Sequence, residues 1–157
     1  MSQIEVQVAV SGTGVPARRQ FETWATAAVG DRLREWELCI RIVGTRESAE
    51  LNERYRGRSG ATNVLSFAAD LPPVTGIPLL GDIVICLPLV GAEARAQAKP
   101  VIAHWAHLTV HGVLHLLGMD HEDPNDAEQM EAEEKRVLSH LGYPDPYTVT
   151  ASATGNT

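Results

Sequence analysis

The sequence predicts an α+β fold: a small mixed β-sheet with helices packed on it, in a single domain over residues 1–147. Two observations carry this. Short alternating or β-branched runs occupy the first half of the chain, and long helix-period runs opened by prolines fill the second. The chain has 157 residues, 44% of them hydrophobic and 21% charged, which suits one soluble core.

The elements follow in order. "IEVQVAV" alternates apolar and polar residues and reads as a first strand, not as the basic start of a signal peptide. Pro16 leads into a helix whose Phe21, Trp24, Ala25 and Ala28 share a face. "WELCIRIVG" is a second strand, with Trp36, Leu38, Ile40 and Ile42 pointing one way. Thr45 is placed to cap a short helix that ends at Gly57. "TNVLSFA" is a third strand. Three prolines and a glycine make the stretch from Asp70 to Leu80 a loop, after which "GDIVICL" is a buried strand opened by Gly81 and Asp82. Pro88 and Pro100 begin two helices, the second running to about Leu117, and Pro124 begins the last, which ends at Gly142. Residues 148–157 are small and polar and read as a disordered tail.

No apolar run is long enough to span a bilayer. Cys39 and Cys86 stand singly in apolar runs and read as buried free thiols of a reducing cytoplasm. The net charge of −7 argues against nucleic acid at first sight. Its distribution does not: the nine acids and two bases between Asp120 and Pro146 account for the whole excess, and "RYRGR" makes a local positive spot of Arg54, Arg56 and Arg58.

The densest chemical signal is "HGVLHLLGMDH". His111 and His115 lie at i and i+4, one turn apart on one helical face, so both imidazoles can reach one metal ion. His121 cannot join by continuing the helix, which would carry it about 15 Å along the axis from His111. Gly118 offers the left-handed turn that folds the chain back. The spacing H-x-x-x-H-x-x-G-x-x-H predicts a zincin-like helix holding one zinc ion through His111, His115 and His121, with an open fourth position. Position 112, where a metzincin carries its glutamate base, is Gly112, which argues against peptide hydrolysis. His104 and His107 share the His111 face and read as locally satisfied polar positions, with His107 also placed to line a cleft or support His111. Asp120 could orient a ligand imidazole or cap the turn. "EDPNDAEQMEAEEK" reads as the solvated face of an acidic helix.

The histidine stretch resembles the signature of the YbeY family of bacterial endoribonucleases and rRNA maturation factors. "YRGRSGATNVLSF", "LLGDIVIC" and "AHWAHLTVHG" extend the resemblance over most of the chain from the second strand to Pro146. It implies a zinc-dependent, single-strand-specific endoribonuclease acting in small-subunit rRNA 3′ end maturation and ribosome quality control. The implied setting is cytoplasmic, with single-stranded and ribosomal RNA as substrate, ribosomal proteins or an assembly GTPase as partners, and neither DNA nor membrane. The metal histidines carry over to His111, His115 and His121, and a functional arginine to Arg56, read as a bidentate phosphate clamp. Two positions depart from the family pattern: Ala68 stands where proline is common, and Asn63 where many members have aspartate. A non-catalytic zinc-containing ribosome-assembly factor and a zinc metallopeptidase are the competing readings. No general base is identifiable, so the nucleophile is either water or the 2′-hydroxyl.

Overall fold

The structure, a computed structural model, describes residues 2–69, 79–119 and 123–147. Within them the chain forms β1 (Gln3–Val8), α1 (Arg18–Val29), β2 (Glu37–Val43), α2 (Thr45–Arg56), β3 (Val64–Ala68), β4 (Leu79–Cys86), α3 (Leu87–Ala96), α4 (Val101–Leu116) and α5 (Pro124–His140). The strands lie in the order β1-β2-β4-β3. β1, β2 and β4 run parallel, and β3 pairs antiparallel to β4 at the edge. The mixed sheet with packed helices is therefore the predicted α+β arrangement.

Both faces of the sheet are covered, which explains the near-continuous apolar character of β2 and β4. One face of these strands, Leu38, Ile40, Ile42, Ile83 and Ile85, packs with Phe21 and Trp24 of α1 and Trp105, Val110 and Leu114 of α4. The opposite face carries a smaller cluster of Val43, Leu65 and Val84, against which Leu51 of α2 is packed. Phe21 anchors the larger core through edge-on contacts with Trp24 and Trp105, at centroid distances of 5.5 and 5.9 Å.

α4 is apolar on nearly every side, and the packing shows why: it meets α1, α3, α5, β3 and β4. A helix so enclosed is a rigid platform, and it carries the histidines. Two element ends differ from the sequence reading, and a third, at Pro124, gains its cap. Gly44 is the N-cap of α2, without a side-chain cap bond, and Thr45 is already helical. β4 begins at Leu79 instead of Gly81, because Leu79 pairs with Glu37 across a register shift. α5 is capped by Asp123, whose carboxylate accepts from the Asn125 N–H. Both the tail and residues 70–78 of the predicted loop lie outside the described residues.

Candidate metal centre and cleft

α4 ends as the glycine signal requires. Gly118 takes a φ of +100°, its N–H donates to the His115 carbonyl, and the Met119 N–H reaches back to the Leu114 carbonyl. The chain is thereby turned away from the helix axis directly after His115. His121 and Asp120 lie outside the described residues, and among the described residues no group of three metal-ligating side chains occurs.

His111 and His115 stand nearly parallel, with ring centroids 6.4 Å apart and an 8° angle between planes. Each ring has its Nδ1 tied to an acceptor. Nδ1 of His111 donates to Oε2 of Glu134 at 2.7 Å, and Nδ1 of His115 donates to the Met119 carbonyl at 3.0 Å. A carbonyl or an ionised carboxylate only accepts, so both rings carry the proton on Nδ1 and would present Nε2 to a metal. This is the arrangement that metal-ligating histidines adopt, with the second nitrogen oriented by a carboxylate or a backbone oxygen. The two described histidines therefore fit a metal ion.

Glu134 is the residue the sequence reading missed. The charge pattern puts it on the solvated face of an acidic helix, yet it is fully buried. Its Oε2 accepts from His111, while Oε1 accepts from Nε2 of His107 at 2.8 Å and from the Tyr147 hydroxyl. Burial alone would raise its pKa, but the hydrogen bonds from His107, His111 and Tyr147 outweigh that and bring it to about 2. His107 thus supports His111 through a shared carboxylate. His104 is 3% exposed and bonds at 2.8 Å to Glu93 of α3, so each of the two histidines has its Nε2 bonded to a carboxylate of another helix and not at the helix end.

A cavity of about 660 Å³ opens beside the two histidines and is lined by Arg56, Arg58, Asn63 and Ser66 among others. Arg56 and Arg58 reach it because α2 ends at its rim. Among the described residues no carboxylate lines the cavity, and none pairs with Arg54, Arg56 or Arg58. The Arg56 guanidinium lies 5.7 Å from the Phe67 ring centroid, and its Nη2 donates to the Ser66 carbonyl at 2.5 Å. The Ser66 hydroxyl in turn donates to the Gly112 carbonyl at 3.2 Å. Ser66 thereby ties the arginine to the helix turn between the two histidines, a role that its place in "NVLSF" did not announce. Arg54 stacks at 5.4 Å from the Tyr55 ring, and it does not line this cavity.

Gly112 is buried against the sheet. A Cβ there would sit 2.9 Å from Cδ1 of Ile83 and 3.1 Å from its Cγ2. The side-chain direction of position 112 therefore points into β4, and a glutamate could be housed there only by displacing the core. The missing protease base reflects how closely α4 packs on the sheet.

Comparison with known proteins agrees with this picture. A family model described as endoribonuclease YbeY matches residues 12–142. Two curated proteins called endoribonuclease YbeY, from Stenotrophomonas maltophilia strains R551-3 and K279a, are each 51% identical over 148 residues, covering 92% of both chains. The solution structure of TM1509 from Thermotoga maritima shares the fold, with a TM-score of 0.57 and 23% identity over 94% of this chain and 99% of that one. Sequence relatives, family model and fold agree, and the chain belongs to the YbeY endoribonuclease family.

Proposed function

We propose that this chain is a zinc-dependent endoribonuclease that cleaves single-stranded ribosomal RNA. The proposed setting is the cytoplasm, where the enzyme matures the small-subunit rRNA 3′ end and acts in ribosome quality control. Family membership supports RNA phosphodiester hydrolysis as the reaction. The observation that carries the reading is the cleft: two histidines with Nδ1 anchored, two arginines and, among the described residues, no carboxylate in its lining. An anionic phosphodiester suits such a lining, whereas a peptide would need the base that Gly112 cannot supply.

His111, His115 and His121 would hold the ion. Zinc bound there supplies a Lewis acid for a phosphoryl oxygen and lowers the pKa of bound water. The protein's own groups do the rest. Glu134 and the Met119 carbonyl fix the two imidazoles before substrate arrives. Arg56, stacked on Phe67 and anchored to Ser66, keeps N–H donors for a phosphate and needs no reorganisation to offer them. Arg58 adds charge at the same rim. The ribosome, its proteins and an assembly GTPase are the proposed partners.

Cleavage of a labelled single-stranded RNA, with the same sequence as a duplex for comparison, tests the reading. The single strand should be cut and the duplex spared. A 2′,3′-cyclic phosphate end identifies the 2′-hydroxyl as nucleophile, and a 5′-phosphate identifies water. Equal cutting of both forms contradicts the single-strand assignment.

A further inference from the structure

Asn63 sits between two cavities. It lines the cleft of His111 and His115, and also a second hollow of about 590 Å³ beside Glu93, His104 and Tyr147. Its backbone is fixed by β4, since the Asn63 carbonyl accepts from the Cys86 N–H at 2.9 Å. Its side chain is fixed by α3: Nδ2 donates to both carboxylate oxygens of Glu93, at 3.0 and 3.3 Å. Glu93 is held in turn by the buried His104, whose Nε2 lies 2.8 Å from Oε1. Burial pushes the His104 pKa down, against the pull of Glu93, so a neutral ring donates through Nε2–H and its Nδ1 is buried without a partner among the described residues.

This relay decides which end of the amide faces the cleft. An ionised carboxylate only accepts, so Glu93 must receive the NH2 end, and Oδ1 is the end left to the cleft. Among the described residues no donor reaches Oδ1. Facing it in the cleft are the donors of Arg56 and Arg58, while the two imidazoles present an unprotonated Nε2. Donors suit a phosphate, and an acceptor at the same level needs a donor on the substrate. In RNA the donor nearest the phosphate is the 2′-hydroxyl, the group that separates RNA from DNA.

We propose that Asn63 is a specificity-determining residue whose Oδ1 accepts a hydrogen bond from the 2′-hydroxyl of the ribose beside the bound phosphate, with Glu93 and His104 as positioning residues. The proposal rests on the endoribonuclease reading and assigns that site its sugar selectivity.

The probes are a labelled single-stranded RNA and its 2′-fluoro counterpart, which keeps the ribose pucker but cannot donate. Binding to the metal-loaded protein is followed by fluorescence anisotropy at low temperature, with gels confirming that the RNA remains intact. Wild type should prefer RNA by about tenfold, the factor carried by one hydrogen bond. Asn63→Ala should lose that preference by weakening RNA binding alone, with the 2′-fluoro affinity unchanged. The exchanged pair Asn63→Asp with Glu93→Gln restores a donor facing an acceptor and should restore the preference, an outcome that a merely structural role for Asn63 would not produce. Equal weakening of both probes in Asn63→Ala overturns the proposal, as does a preference that follows base composition in place of the sugar. If wild type binds neither probe, the endoribonuclease reading fails, a result distinct from binding without sugar preference.

Discussion

Substituting Gly112 tests the packing that leaves this helix without a protease base. Alanine in place of glycine inside a helix is ordinarily stabilising by about 1 kcal/mol. Here the new Cβ would meet three atoms of Ile83 at 2.9, 3.1 and 3.3 Å, and Ile83 is fully buried in the sheet. Cδ1 can rotate aside, but Cγ1 and Cγ2 branch from Cβ and are stiff, so the strand or the helix must yield. Overpacking of this kind costs about 1–3 kcal/mol, which outweighs the propensity gain and leaves Gly112→Ala about 1 kcal/mol less stable than wild type. Ile83→Val removes the 2.9 Å contact and alone costs about 1 kcal/mol. Combined with Gly112→Ala it should cost less than the sum, by about 1 kcal/mol. Gly112→Glu, which completes the metzincin pattern, should cost several kcal/mol by forcing a carboxylate against Ile83, and should confer no peptidase activity. Urea unfolding of wild type and the four variants supplies the numbers. A Gly112→Ala variant that is stabilised by about 1 kcal/mol, with strictly additive effects of Ile83→Val, refutes the close approach.

Three other outcomes are expected. Glu134→Gln replaces the carboxylate shared by His107, His111 and Tyr147, and metal affinity measured by chelator competition should fall about 10–100-fold; unchanged affinity contradicts its orienting role. Arg56→Lys keeps the charge but loses the planar fork over Phe67, so kcat/KM on single-stranded RNA should drop at least about tenfold; wild-type activity contradicts the clamp. Glu133 has its pKa lowered from 4.5 to about 2, chiefly by hydrogen bonding to Arg136 and against the cost of burial, with Arg32 adding to the effect. A depressed folded-state pKa stabilises fully above 4.5 and loses that contribution as pH falls toward 2. Glu133→Gln should therefore cost about 1 kcal/mol at neutral pH, a modest figure because both arginines are largely exposed, and the gap from wild type should close on acidification.

The order of elements was legible because each strand and helix carries its own period and its own proline or glycine punctuation. The core faces followed from the same periods, as with Phe21, Trp24, Ala25 and Ala28 of α1, all buried. The turn at Gly118 was equally plain, since a histidine beyond a helix end needs a residue that tolerates positive φ. Glu134 was hidden by its company: eight other acids between Asp120 and Asp145 make the segment look solvated. A signal was nonetheless present, because Glu134 falls on the α5 stripe of Met130, Val137 and Leu138 that faces the core. A lone carboxylate on an apolar stripe needs buried donors, and three histidines on the α4 face could supply them. The packing at Gly112 and the Ser66 bridge were not legible, because both depend on how near β3 and β4 lie to α4, a distance that no local pattern encodes.

The most direct measurement combines metal content with cleavage of a single-stranded RNA, for wild type and for His111→Ala, His115→Ala and His121→Ala. Wild type should hold one zinc ion per chain and cut the RNA. Each variant should stay folded, hold little zinc and cut nothing. Undiminished cleavage by wild type in chelator, or by His121→Ala, contradicts a three-histidine metal centre as the seat of the activity.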